Sequence, residues 1–243
     1  MIPFPDENNL ALHLEELRTR LILCLVSIAV LTLSSFFLSD ILFALVVHPI
    51  KGSIPTLYFT TPYEAFMIKL KISLAGGFIL GLPVIFAQLW LFVSPGLYQT
   101  EQHIALPMIF ISVLLFVLGV FFAYFLVLPF ALKFFLGFQS PGLEPLISVG
   151  SYVSFFLSLV LIFGFMFDLP VLLVGLIYFG AFGTSFLSRQ RKMAVLLIFI
   201  LAAVVTPTVD IFTQCVLAFS LWGLFELSLL AGRVIEKRRK PII

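Results

Sequence analysis

The chain has 243 residues, of which 62% are apolar, 16% aromatic and 11% charged, with a formal net charge of +2. A soluble globular domain carries about a quarter charged residues, so this composition excludes a soluble protein, a disordered or collagen-like chain and a nucleic-acid-binding surface. Lipid is the main solvent, and Cys24 and Cys215, both in apolar runs, read as small core hydrophobes rather than a disulfide framework.

Along the chain, runs free of Asp, Glu, Lys, Arg and His cover 21–39, 72–100, 104–132, 145–167, 169–188, 193–209 and 211–225. A spanning helix needs roughly 20 apolar residues. Only Asp168-Leu169-Pro170 separates the fourth run from the fifth, without the Gly, Ser or Asn clustering of a turn, whereas Gly180 to Lys192 has it. The two runs therefore merge into one helix over 151–179, kinked near Pro170. The expected fold is all-α, a single transmembrane domain over 1–243 with six spans near 21–45, 67–93, 104–133, 151–179, 193–205 and 211–231. The fifth and sixth are expected to be short. The fifth has 13 residues, or about 20 Å, against a hydrocarbon core of about 30 Å, so the membrane must thin there or a partner must cover the mismatch.

Six spans put both termini on one side. That side collects Arg18, Arg20, Arg189, Arg191, Lys192, Arg233, Lys237, Arg238, Arg239 and Lys240, ten cations against four (Lys51, Lys69, Lys71, Lys133) on the other. The positive-inside rule makes it the cytoplasm. The connections are then a cytoplasmic amphipathic helix (1–20), an outer cap loop (46–66), a cytoplasmic loop (94–103), an outer loop (134–150), a cytoplasmic loop (180–192) and a basic cytoplasmic tail (232–243). No signal peptide is expected ahead of the first span.

Leu10, Leu14, Leu17 and Leu21 share one face of the first segment, which is expected to lie along the cytoplasmic interface, with Glu16 four residues before Arg20 on the polar side. The outer loop carries Pro49, Pro55 and Pro62 with Tyr58, Phe59, Tyr63 and Phe66, a stiff cap with interface aromatics. In the loop 94–103 the only full charge is Glu101. It reads either as an N-terminal charge for the third span or as an acceptor for a basic ligand, and Glu16 with Glu101 would suit paired guanidinium groups. Asp168 sits deep in the fourth span, where an ionised carboxylate is costly. It faces a cavity or partner, carries a proton, or bonds the backbone freed by Pro170. Glu226 reads as interfacial. His13, His48 and His103 show no metal spacing, and no nucleotide or hydrolase motif occurs, so neither enzyme nor cofactor nor metal site is expected.

His13-Leu14-x-Glu16-Leu17-Arg18-x-Arg20, Thr61-Pro62-Tyr63-Glu64-Ala65-Phe66 and Pro83-x-x-x-x-Gln88-x-Trp90-x-Phe92-x-x-Pro95-Gly96-Leu97-Tyr98-x-x-Glu101 follow one another in the chain. They are joined by Phe163-Gly164-Phe165-x-Phe167-Asp168-x-Pro170-Val171 and by Thr206-Pro207 ahead of Asp210-x-Phe212-x-Gln214. In this unbroken order, over residues 12–233, the chain resembles the TatC family, the polytopic subunit of the twin-arginine protein translocase. The resemblance implies a multi-pass protein of the cell (inner or cytoplasmic) membrane that binds the twin-arginine signal peptides of folded precursors. It implies Glu16 and Glu101 as acceptors, with Leu17, Arg18, Phe92, Pro95 and Tyr98 shaping the site and Asp168 as the intramembrane acid. It also implies single-span TatA and TatB partners near Thr206, Asp210 and Gln214, self-association in a multimeric receptor complex, and export driven by the proton-motive force. The chain departs from the family's pattern at Gln102-His103, where many relatives follow the loop acid with Arg, and at Asp168, where many have Glu. Two rival readings are a proton-coupled secondary transporter using Asp168, which calls for repeats or broken helices at matching positions, and a purely structural scaffold.

Overall fold

The computed structural model describes residues 7–51, 56–93, 105–140, 145–180, 182–206 and 210–238. These are almost wholly helical and contain no strand beyond one isolated parallel bridge between Tyr58 and Ser148. The elements are α1 (Glu7–Phe37), α2 (Ser39–Val47), a 3-10 turn (His48–Ile50), α3 (Glu64–Val93), α4 (Ala105–Phe122), a π segment (Ala123–Val127), α5 (Leu128–Leu136), α6 (Val149–Phe167), α7 (Leu169–Tyr178), α8 (Thr184–Arg189), α9 (Arg191–Val205) and α10 (Ile211–Arg238). Among the described residues five stretches are long and apolar enough to cross a bilayer: Leu14–Phe37, Glu64–Phe92, Leu106–Leu136, Val149–Tyr178 and Ile211–Lys237. With the shorter α9 they make the six spans.

The fourth span forms as one rod with a one-residue break. Pro170 has no N–H to give the Met166 carbonyl, and its ring crowds that group. The chain responds by tightening at Asp168, whose N–H bonds the Phe165 carbonyl at 3.1 Å, and the helix resumes at Leu169. In the third span the same defect at Pro129 is absorbed by the π turn directly before it. The fifth span, α9, is short as expected, 15 residues or about 22 Å. The sixth is short only in its apolar part. The helix runs 28 residues because α10 continues without a break into the basic segment 232–238, which carries no proline, with Gly232 tolerated inside the helix.

Two other boundaries differ from expectation. The segment 7–20 and the first span are one continuous helix, since nothing between Arg20 and Leu21 favours a turn. That span, expected to run to 45, breaks at Leu38, where the Leu38 N–H bonds the Ser35 carbonyl at 3.1 Å and α2 begins afresh. The loop 180–192 carries the short helix α8.

The chain forms two compact units, Met1–Phe43 with Lys69–Val113, and Ala44–Ile68 with Leu114–Ile243. In the first, α1 runs antiparallel to α3. Gly81 sits against Ile28 and Leu31, and a Cβ at Gly77 would collide with the backbone of Thr32, so only glycine allows the two helices this close. Lys69 closes that face with an ion pair to Asp40 at 2.7 Å.

In the second unit, α4 packs on α6 through Gly119 and Gly164. A Cβ at Gly119 would strike the Phe163 carbonyl oxygen, and one at Gly164 would enter the Phe116 ring, which is wholly buried. The cap is fastened here too. Glu64, 8% exposed, accepts from the Thr60 N–H (2.5 Å), the Thr60 hydroxyl (2.8 Å), the Thr61 N–H (3.3 Å) and, at its other oxygen, the Gly150 N–H at 2.7 Å. Four donors and no acceptor suit the ionised carboxylate. The α2 end carbonyls of Leu45 and Val46 accept from the hydroxyls of Tyr124 (3.0 Å) and Tyr152 (2.8 Å), which satisfies groups the helix leaves open. α9 and α10 run antiparallel, joined by the Phe199–Phe219 ring contact, and Leu217, Leu221 and Leu229 of α10 are fully buried.

Gly119→Ala is expected to destabilise the protein by about 1–3 kcal/mol, because a backbone oxygen must move. Gly223→Ala meets nothing within 4 Å and is expected to be neutral or slightly stabilising, since Ala is the better helix former. Thermal unfolding in detergent micelles checks the pair.

Candidate functional site

The first candidate cluster lies where α1 faces the C-terminal half of α3. Glu16 and Arg20 are one helical turn apart, so both project from one face of α1. The Arg20 Nε donates to Glu16 Oε1 at 3.0 Å and an Arg20 terminal nitrogen reaches the same oxygen at 2.5 Å. Its other terminal nitrogen donates to the Gln88 side-chain oxygen of α3 at 3.1 Å. The guanidinium is a planar fork, and here one edge holds the carboxylate while the remaining arm holds the amide. Side-chain exposure is 35% for Glu16 and 22% for Arg20, so the acid is presented at a surface and oriented from behind.

Leu17 is half-buried and Arg18 exposed on the same turn, and Phe92, half-buried, lies one turn beyond Gln88. Pro95, Tyr98 and Glu101, with Gln102 and His103, fall outside the described residues. Gln88 is the residue the motif contained but to which no role was given. A long polar side chain inside an otherwise apolar second span was the available signal.

The second candidate is Asp168. It is 6% exposed, and neither carboxylate oxygen has a hydrogen-bond partner among the described residues. It therefore does not bond the backbone freed by Pro170. It occupies the break between α6 and α7, with Phe167 one residue before it packed on Phe122 at 5.3 Å between ring centres. A buried, unsatisfied carboxyl group is costly to the fold.

The third group is at the α9–α10 turn. Thr206 ends α9, its N–H bonded to the Ala202 carbonyl. Asp210 caps α10: Oδ1 accepts from the Thr213 N–H at 2.7 Å and the other oxygen from the Thr213 hydroxyl. Gln214 donates to the Phe199 carbonyl of α9 at 3.4 Å. Asp210 thus fixes the start of α10 and Gln214 ties that start to α9. Glu236, which nothing in the local sequence signalled, performs a similar task 52 residues away, accepting from the Thr184 N–H at 2.8 Å and from its hydroxyl. Gly183 at the α8 N-cap has no side chain to do so. Glu226 pairs with Arg191 at 2.9 Å. Among the described residues no group of His, Cys, Asp and Glu could hold a metal ion.

Comparison with known proteins identifies the family of the chain. Residues 12–219 match the family model for the Sec-independent protein translocase protein TatC. Proteins of that name from Magnetococcus marinus and Aquifex aeolicus are 40% and 38% identical, the matches covering 93% and 95% of this chain and 84% and 97% of theirs. A crystal structure of the twin-arginine translocase receptor TatC superposes with a TM-score of 0.81 at 38% identity, covering 92% of this chain and 99% of that one. The chain is a multi-pass membrane protein of the TatC family, a subunit of the twin-arginine protein translocase.

Proposed function

We propose that this subunit is the receptor for twin-arginine signal peptides, binding them at its cytoplasmic face through Glu16 and Glu101. The observation that carries this reading is the Glu16 carboxylate, partly exposed and held in orientation by Arg20, itself tied to Gln88. A guanidinium offers two parallel donors to a carboxylate, so two acidic acceptors match two consecutive arginines, and a pre-oriented acceptor loses less entropy on binding. In this proposal Leu17 and Arg18, next to Glu16 in the chain, and Phe92, one turn beyond Gln88, border the site, and Pro95, Tyr98 and Glu101, which follow α3 in sequence, complete it.

In the same proposal both termini lie in the cytoplasm of a cell with this protein in its inner membrane. Single-span TatA- and TatB-type partners dock near Thr206, Asp210 and Gln214, beside the short α9. Copies associate in a multimeric receptor complex, and the proton-motive force drives passage. Asp168 serves transport rather than peptide capture. Its unpartnered carboxyl group is a cost to folding that a role in transport would explain. The transporter alternative gains nothing from the structure beyond the one-residue break at Asp168.

Glu16→Ala and Glu101→Ala are each expected to lower affinity for a twin-arginine peptide roughly 10- to 100-fold, the equivalent of one charge-assisted contact of about 1.5–3 kcal/mol. Glu101→Lys is expected to be the most severe, and a peptide with both arginines changed to lysine should bind weakly to wild type. Unchanged binding in both alanine variants would move the receptor site elsewhere.

Asp168→Leu is expected to raise thermal stability by about 1–3 kcal/mol, because an unsatisfied buried polar group is removed, while stopping export and sparing peptide binding. A loss of stability would show instead that Asp168 is structural.

The topology is checked by labelling single cysteines at Gln139 and Gln190, both exposed, in a chain with Cys24 and Cys215 replaced. They are expected to react from the outer and cytoplasmic sides respectively.

A further inference from the structure

The α8–α9 connection encloses a groove that peptide recognition does not use. Its volume is about 370 Å³, and its walls are Phe186 and Leu187 of α8, Met193 and Leu197 of α9 and Phe225 of α10, with Ala194 beneath and Gln190 at the joint between the helices. Such an apolar trough suits a hydrocarbon chain. What distinguishes it from ordinary lipid-facing surface is the charge that flanks Gln190 in the chain.

Arg189 closes α8, and Arg191 and Lys192 open α9, on either side of Gln190. Arg191 is taken by Glu226 at 2.9 Å. Arg189 and Lys192 are exposed and make no ion pair with a described residue. Arg233 adds a third cation by donating to the Ser188 hydroxyl at 3.2 Å. Of the nearby carboxylates, Glu226 is neutralised by Arg191, while Glu236, bonded only to the uncharged Thr184, keeps its charge and offsets one cation. Arg189, Lys192 and Arg233 against Glu236 leave a net positive cluster around Gln190, at the point where an apolar span meets a polar connection.

We propose that this groove binds an anionic phospholipid, one acyl chain lying against Phe186, Leu197 and Phe225 and the phosphate held by Arg189 and Lys192. Basic clusters beside apolar spans select anionic headgroups because each Lys or Arg adds attraction that a zwitterionic headgroup largely cancels. The short α9 strengthens the case. A helix of 15 residues, about 22 Å, leaves the bilayer mismatched beside it, and a lipid anchored at its basic end would hold the thinned membrane in place.

Native mass spectrometry of the purified full chain in detergent micelles tests this, with dioleoyl phosphatidylglycerol, dioleoyl phosphatidylcholine, dihexanoyl phosphatidylglycerol and inorganic phosphate as separate probes. Dioleoyl phosphatidylglycerol is expected to bind at least roughly tenfold more tightly than the choline lipid, and than the short-chain lipid that keeps the headgroup and loses the tail. Arg189→Gln with Lys192→Gln should bring it down to the choline lipid's level. Ala194→Trp, filling the trough, should remove the adduct while thermal unfolding confirms the fold. Equal retention of glycerol and choline lipids, or phosphatidylglycerol binding unchanged by the double substitution, would overturn the proposal. Competition by inorganic phosphate at similar concentration, or equal binding of the short-chain lipid, would overturn the acyl-chain half of it.

Discussion

Every backbone N–H and C=O in the hydrocarbon must find its partner inside the protein, because lipid offers none and each unsatisfied group costs several kcal/mol. The rest of the structure follows from that constraint. It explains why the described residues are helical almost throughout and why each irregularity comes with a local repair. Pro129 is preceded by a π turn, and Pro170 by the tightened turn at Asp168. The end of α2 hands two carbonyls to the hydroxyls of Tyr124 and Tyr152. The cap loop gives four donors to the Glu64 carboxylate. Against this pattern stand the side chains of Asp168, Thr32 and Ser35, whose buried oxygens have no partner among the described residues, and only Asp168 is a carboxyl group.

Close helix packing takes the place of the hydrophobic effect, which acts weakly between helices already in lipid. Glycine sets the spacing where it matters most, at Gly77 against Thr32 in one unit and at Gly119 and Gly164 against α6 and α4 in the other. The polar clasps then fix register. Arg20 to Gln88 aligns α1 with α3, Arg191 to Glu226 aligns α9 with α10, and Glu236 to Thr184 ties the end of α10 to α8. The Arg20 clasp is also the candidate receptor surface, so the element that sets helix register orients the acid proposed to meet the ligand.

Much of the fold was legible because a run of about 20 uncharged residues has few alternatives to a spanning helix. Merging two runs across Asp168 was correct for a local reason, the absence of turn residues there. The break at Leu38 and the continuation of α1 back to Glu7 were not legible, since neither is marked by Gly or Pro. Within the site, Glu16 with Arg20 could be read from four-residue spacing, whereas Gln88 is 68 positions from Arg20 and only the fold unites them. Glu64 did carry a readable sign. Thr61-x-x-Glu64 is a capping-box pattern in which the acid reaches back to the threonine N–H. Its bond to Gly150, 86 residues on, did not.

In the proposed receptor site the Glu16 carboxylate, oriented by Arg20 and Gln88, receives the paired arginines of a signal peptide together with Glu101. A photo-crosslinking side chain at Gln88, in membrane vesicles given a folded precursor, tests this, with the same side chain at Phe59, in the loop ahead of α3, as the comparison. A crosslink from position 88 to the signal peptide is expected, abolished by excess twin-arginine peptide and not by its twin-lysine counterpart. A crosslink from position 59 with none from 88, or equal competition by the two peptides, would contradict it.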